Sequence, residues 1–320
     1  MKRPVTTGWV VVAASIAALT VGSTGILSYA HNIFLKPMTE EFHWTRAQYF
    51  FPFTVAGVLG ALLPPFIGRA ADRWGIKRVL LPGVIAFALA TMNLALLNGS
   101  APQFFVFAIL SSATAMFQSP PLYSKAVSAW FDRNRGLALA IAMTGSALGG
   151  VLIPPFATVL VQNFGWRTAR VALGVAVLLI AVPAVWFGIE EPKDGAVAKS
   201  AAPTQGVDTR EAIRTRTFWL ILVSFLLSGA AANGMMTNLG PLATDLGYSA
   251  GLAAGAISTV ALGQIAGRFV SGYLLDRFAT PKVGLYMLFA AIAGTYFLID
   301  GHGTAMLFLG AALLGLGLGS

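Results

Sequence analysis

Uncharged, apolar stretches of roughly twenty residues recur ten times along this chain, and that recurrence constrains the fold more than any motif does. They lie at roughly 8–30, 47–67, 79–97, 102–121, 136–161 and 171–189, and after a polar interval at roughly 218–240, 250–275, 283–299 and 303–320. A bilayer core takes about 20 residues of helix, and in lipid only helices and closed barrels satisfy every backbone N–H and C=O. The expected class is therefore an all-α polytopic membrane protein with about ten helices. Asp, Glu, Lys and Arg make up only 10% of the chain, against roughly 25% in soluble domains. That scarcity excludes a soluble enzyme, a disordered tail and a nucleic-acid-binding module. With no cysteine, disulfides, thiolate metal sites and cysteine nucleophiles are excluded as well. No nucleophile–base pair, metal cluster or phosphate loop stands out, so neither enzymatic activity nor a cofactor is expected. The first run is too long for a signal peptide and reads as a retained helix.

The net charge of +9 reports topology. Lys2, Arg3, Arg69, Arg73, Lys77, Arg78, Lys125, Arg133, Arg135, Lys193, Lys199, Arg210, Arg214, Arg216, Arg277 and Lys282 fall on one side of the map, 16 in all. The other side holds four, Lys36, Arg46, Arg167 and Arg170. Basic residues concentrate in cytoplasmic loops, so the amino terminus is expected inside. On this map Arg268 is the one full charge within a span.

Residues 190–216 form the single long polar stretch and have linker composition. They divide an amino-terminal six-helix bundle, 1–189, from a four-helix segment, 217–320. The loop after the second run reads Gly68-Arg-Ala-Ala-Asp72-Arg73-Trp-Gly75-Ile-Lys77-Arg78, and the loop after the eighth reads Gly272-Tyr-Leu-Leu-Asp276-Arg277. The two Gly-x-x-x-Asp-Arg strings stand 204 residues apart, each at the same place in its half, as a parallel repeat requires. Glycine permits a tight turn. Asp72 is suited to accept bonds at the amino end of the following helix, and the basic residues to hold the loop at an anionic leaflet.

The Gly68–Arg78 stretch resembles the loop signature of the major facilitator superfamily. The resemblance implies two six-helix bundles, the second incomplete here, and a loop that latches the halves together and gates the inner face. Superfamily members normally carry twelve helices, so two are missing and a truncated product or fragment is expected. Trp130-Phe131-Asp-Arg133-Asn-Arg135-Gly136-Leu137-Ala138 is similar to the start of helix five in monocarboxylate porters and bacterial oxalate:formate antiporters. Phe164-Gly-Trp166-Arg167 fits the same group. Read locally, Trp130 and Phe131 are interface anchors, and Gly145 and Gly149 form a small-x-x-x-small packing pair.

All twelve acids fall in loops or at helix ends, which leaves Arg268 as a cation inside a span. An intramembrane charge costs about 2.5–3.5 kcal/mol on insertion scales and is a functional hypothesis by default. A guanidinium matches a carboxylate as a bidentate fork. The resemblance implies the same role, since a helix-eight arginine binds the carboxylate in these porters. The competing reading is snorkelling toward the inner boundary, about 10 Å away at 1.5 Å per residue. Gln264, one turn earlier on the same face, reads as inward and polar. Many monocarboxylate porters carry an Asp at that position for proton coupling, and Gln264 cannot titrate. The helix-one basic residue of some of them is also absent, with Tyr29, His31 and Asn32 in that region. Exchange or uniport is expected over carboxylate-coupled proton symport. His31, His43 and His302 read as solvated outer residues. Gln118, Ser119 and Tyr123 beside the Pro120-Pro121 break, and Asn233 and Asn238 in the seventh run, are further candidates to line a cavity or to hydrogen-bond between helices.

The expected function is secondary transport of small organic anions, mono- or dicarboxylates, across the plasma (bacterial inner) membrane by alternating access. The expected partners are the anion and the bilayer, with the protein a monomer. The alternatives are a porter for a neutral solute or drug, and a non-transporting receptor or inactive fragment.

Overall fold

A computed structural model describes residues 5–60, 62–131, 134–191, 209–278, 282–301 and 303–319. The linker residues 192–208, and with them Lys193 and Lys199, lie outside the described residues, as do Arg133 and His302. Among the described residues there is no strand. The chain divides into two compact units, Met1–Lys193 and Asp194–Ser320.

Unit 1 opens with α1, Val5–Thr20, which runs through a π-helical segment, Thr24–Tyr29, into α2, His31–Phe42. The first span is therefore longer than its apolar run. The second span is α3, Arg46–Gly60, and α4, Pro64–Trp74, bent by 49°. Pro64 and Pro65 start the second piece, where a missing N–H costs nothing. The third is α5, Ile76–Asn93, and the fourth is α6, Ala101–Ala115, continued by α7, Pro120–Ser128. The fifth and sixth share α8, Arg135–Ala176, extended by π turns to Gly188. Gly165, at φ 79° and ψ 163°, breaks α8 between them. That conformation is open essentially to glycine alone, which is why Phe164-Gly165-Trp166 makes the turn between them.

The small pair acts as the sequence suggests. A Cβ on Gly149 would stand 2.5 Å from the Thr20 carbonyl oxygen, and one on Gly145 would collide with that of Ile16. Two missing side chains thus let the backbones of α1 and α8 touch, the mode by which helices associate in lipid. Hydroxyls inside the helices bond back one turn: Ser15 to Val11 O (2.7 Å), Thr20 to Ile16 O (2.8 Å), Thr91 to Phe87 O (2.9 Å), Thr114 to Leu110 O (2.7 Å) and Thr158 to Pro154 O (2.9 Å). Each satisfies its polar group within its own helix.

Unit 2 contains α9, Arg216–Asp245; α10, Ala250–Phe278; α11, Lys282–Asp300; and α12, Thr304–Leu318. Its core joins Leu239 and Ala243 to Ala256, Val260, Leu298, Leu307, Ala311 and Leu314. Glycines again set the spacing: a Cβ on Gly263 would stand 2.7 Å from Ala312 O, and one on Gly310 2.9 Å from Gly294 O. The first half of α9, with Trp219, Phe225, Leu226 and Leu227, is exposed. An apolar surface of that kind suits contact with hydrocarbon.

Candidate functional site

In unit 2, α10 carries Gln264 and Arg268 one turn apart. Gln264 is buried and Arg268 half-buried. The Ser271 hydroxyl bonds to the Arg268 carbonyl at 3.3 Å. Close packing against α12 fixes this stretch, because the Gly267 backbone lies against Leu316 and Gly319 against the backbone of Gln264. An amide with donors and an acceptor, one turn from a cationic fork, has the chemistry to orient a carboxylate. At the far end of α10, Gly272 is buried, and Arg277 Nη1 donates to the Tyr273 hydroxyl at 2.9 Å. The side chains of Asp276 and Asn233 lie outside the described residues. Asn238 is exposed and donates to Gly234 O within its own helix at 2.8 Å.

In unit 1 the helix breaks at Ser119, which is extended at φ −73° and ψ 146°. Gln118 and Tyr123 flank the break, both buried, and neither the Gln118 amide atoms nor the Tyr123 hydroxyl meets a hydrogen-bond partner. Tyr29 is half-buried, its ring packed on the bare backbone of Gly150, where a Cβ would stand 2.9 Å away.

Two expectations need correction here. Arg170, read as an outer-loop charge, is fully buried in α8 with the Phe34 ring 3.7 Å from its Cζ. Arg268 is therefore not the single charge inside a helical span. The signal was present in the sequence: Trp166, Ala169, Arg170, Leu173, Gly174 and Val177 follow the i, i+3, i+4 spacing of one helix face, and all are buried. The charge at the start of that face makes the apolar run look shorter than the helix. His31, expected in solvent, is 7% exposed. It packs among aromatic rings, with centroids 4.3 Å from Phe53 and 4.9 Å from Tyr49. Continuation of the first span as α2 is what draws it inside.

The motif loop departs from its expected bonding. Asp72 does not cap the following helix; it pairs with Lys125 of α7. The cap is Glu191, whose carboxylate accepts from the N–H groups of Ile76 and Lys77, the latter at 3.3 Å. Gly75, at φ 93°, leaves room for it, since a Cβ there would stand 3.1 Å from the carboxylate. Trp130 Nε1 donates to the Glu190 carbonyl at 2.8 Å. Thus Glu190 and Glu191, read as the start of a linker, belong to unit 1. Lys77 lies over the Trp186 ring at 5.8 Å. Gly68 is half-buried; Arg73, Arg78 and Arg135 are exposed; Gly136 follows Arg135 in the first turn of α8.

At the other end of unit 1, Glu41 joins α2 to the α8 turn. Its carboxylate receives Arg167 Nη1 at 2.8 Å and Trp166 Nε1 at 2.7 Å, with Arg167 Nη2 2.7 Å from the second oxygen. Arg167 also reaches Leu97 O at 3.0 Å. The bonds from Arg167, then that from Trp166, hold the Glu41 carboxyl below its usual range.

The sequence model described as Major Facilitator Superfamily matches residues 9–320. The chain belongs to the major facilitator superfamily. Among curated relatives, the MFS-type transporter pytF of Aspergillus terreus is 26% identical over 257 residues, covering 78% of this chain and 80% of that protein. Monocarboxylate transporter 11 of Mus musculus is 26% identical over 288 residues, covering 90% of this chain and 63% of that protein. The chain thus spans under two thirds of the monocarboxylate transporter's length. Among solved structures, the proton:xylose symporter XylE matches with a TM-score of 0.65 at 12% identity, covering 98% of this chain and 80% of that one. A bacterial homolog of the human lysosomal transporter Spinster matches at 0.62 and 22% identity, covering 97% and 72%. These two likenesses concern the fold. Facilitator membership makes the chain an integral membrane protein of a transporter family, built as the all-α fold that the motif loop implied.

Proposed function

We propose that this facilitator moves small organic anions, mono- or dicarboxylates, by alternating access, with Arg268 as the carboxylate clamp. The observation that carries the reading is a guanidinium about two thirds of the way along the membrane-length helix Ala250–Phe278, half-buried and one turn from the buried amide of Gln264. A charge at that depth is costly unless it has work to do, and a planar fork selects carboxylates. The 26% identity to a monocarboxylate transporter points the same way. Gln118, Tyr123, Tyr29 and Asn233 are the proposed polar lining. Gln264 does not titrate, so exchange or uniport is favoured over proton symport. The Asp72–Lys125 pair and the basic loop, with Arg73, Lys77, Arg78, Arg135 and the second copy Gly272-Asp276-Arg277, are proposed as the inner gate. The amino terminus is proposed to be cytoplasmic, the membrane a bacterial inner membrane and the protein a monomer.

The test is uptake of radiolabelled formate, lactate and oxalate into proteoliposomes holding wild type or Arg268→Ala. Wild type should accumulate at least one of them, and the variant should lose uptake by tenfold or more. Equal uptake by both would remove the clamp.

A further inference from the structure

A second guanidinium lies inside unit 1, and the Arg268 clamp makes no use of it. Arg170 is 0% exposed on the inward face of α8. A guanidinium keeps its proton at any pH a protein survives, so a full charge is buried here. The Phe34 ring under its plane offsets part of that cost through cation–π attraction. The edge of the fork is another matter: Nε, Nη1 and Nη2 all lack an acceptor. The Tyr49 hydroxyl donates to the His31 carbonyl at 3.0 Å and turns its oxygen toward the guanidinium, near it but short of hydrogen-bond geometry. His31, one turn before Phe34 on α2 and packed on the Tyr49 ring at 4.9 Å, has both ring nitrogens unpartnered. Among the described residues no carboxylate pairs with Arg170. Glu41, seven residues beyond Phe34 on α2, is committed to Arg167 and Trp166.

Unmet donors from α2 and α8 therefore meet under an aromatic floor with no negative charge between them. A buried ion without its counter-charge is strongly destabilising, and the one species that answers all of these donors is an anion. We propose that Arg170 and His31 form a binding site for one small monoanion, a halide ion or the carboxylate of a short acid. The edge of the Arg170 fork supplies the charged bonds, one N–H of the His31 ring adds another, and Phe34 holds the guanidinium plane in place. The site lies wholly within unit 1 and stands independently of Arg268 and of whatever the protein transports.

The test uses the full chain purified in detergent, at constant ionic strength in potassium gluconate, whose anion is too large for the site. Radiolabelled chloride and formate are the probes for equilibrium binding, and the unfolding midpoint is followed in parallel. Arg268→Ala, which removes the clamp, should bind one equivalent of either probe and wild type one equivalent of chloride, with a higher midpoint in chloride or formate than in gluconate. Introduced into Arg268→Ala, Arg170→Gln should weaken binding by tenfold or more and abolish the midpoint difference. Arg170→Lys, which keeps the charge and loses the fork, guards against a folding defect and should weaken formate more than chloride. Formate binding alone, retained in Arg268→Ala, supports a carboxylate occupant; chloride binding as well supports a halide. Three results would overturn the site: no saturable binding of either probe to wild type, equal binding by a folded Arg170→Gln in the Arg268→Ala background, or loss of binding in Arg268→Ala alone.

Discussion

The contact between α1 and α8 predicts that one substitution, glycine to alanine, has opposite signs at two positions. At Gly149 an added Cβ would stand 2.5 Å from Thr20 O, an atom of a buried helix backbone that cannot swing aside. The helices must part by several tenths of an ångström along a dry interface. Overpacking of this kind costs about 1–3 kcal/mol. At Gly57, on the exposed side of α3, nothing lies within 4 Å of the same atom. There the methyl removes only the conformational freedom of glycine, and a gain of roughly 0.5–1 kcal/mol is expected. The two variants should differ by about 1.5–4 kcal/mol, or tenfold and more in the folded-to-unfolded ratio. Denaturation by SDS in mixed micelles, followed by tryptophan fluorescence, reads both against wild type. Gly149→Ala should unfold at lower SDS fraction and Gly57→Ala at equal or higher fraction. A Gly149→Ala protein as stable as wild type, or both variants moving together, would refute close backbone contact between α1 and α8.

Glu41 supplies a pH dependence. Its folded pKa is depressed below the ordinary 4.5, by the Arg167 bonds first, so its stabilisation is present above that pH and fades as pH falls through the folded value. The group is well exposed and screened, so Glu41→Gln should cost only about 1 kcal/mol at pH 7; thermal unfolding of the pair at pH 7 and pH 4 should show the gap narrowing at the lower pH. Glu191→Ala removes the cap of α5 and should cost about 1 kcal/mol, whereas Asp72→Ala, which deletes the loop's own carboxylate, should leave the Ile76 and Lys77 amides as protected from hydrogen exchange as in wild type.

The spans, the break at Gly165 and the small pair Gly145/Gly149 were legible because each is a local matter of apolar length, turn chemistry or side-chain size. What escaped was long-range. Nothing near Glu191 announces that it will cap a helix 115 residues earlier in the chain, and a Glu-Glu-Pro string reads as linker on composition alone. Arg170 is hard to place for a different reason: a charge looks like the end of an apolar run, although its neighbours at helical spacing continue the buried face. His31 is hidden in the same way, because the polar residues after Tyr29 resemble a helix end while the helix continues to Phe42. Of the candidate site, Gln264 and Arg268 were legible as an i, i+4 pair, and Gln118 and Tyr123 through the prolines between them.

The hydroxyls that bond back to their own helices carry a last consequence. Ser15, Thr20, Thr91, Thr114 and Thr158, joined by Thr259 and Thr295 in unit 2, have each given their proton to a carbonyl three or four residues earlier. Such side chains turn mainly a methyl or methylene surface toward their neighbours, and much of the polarity visible in the sequence is muted. What stays undischarged in unit 1 is a short set of buried groups, the amide of Gln118, the phenol of Tyr123 and the fork of Arg170 among them. The polarity of such a bundle is a property of what the backbone leaves unclaimed.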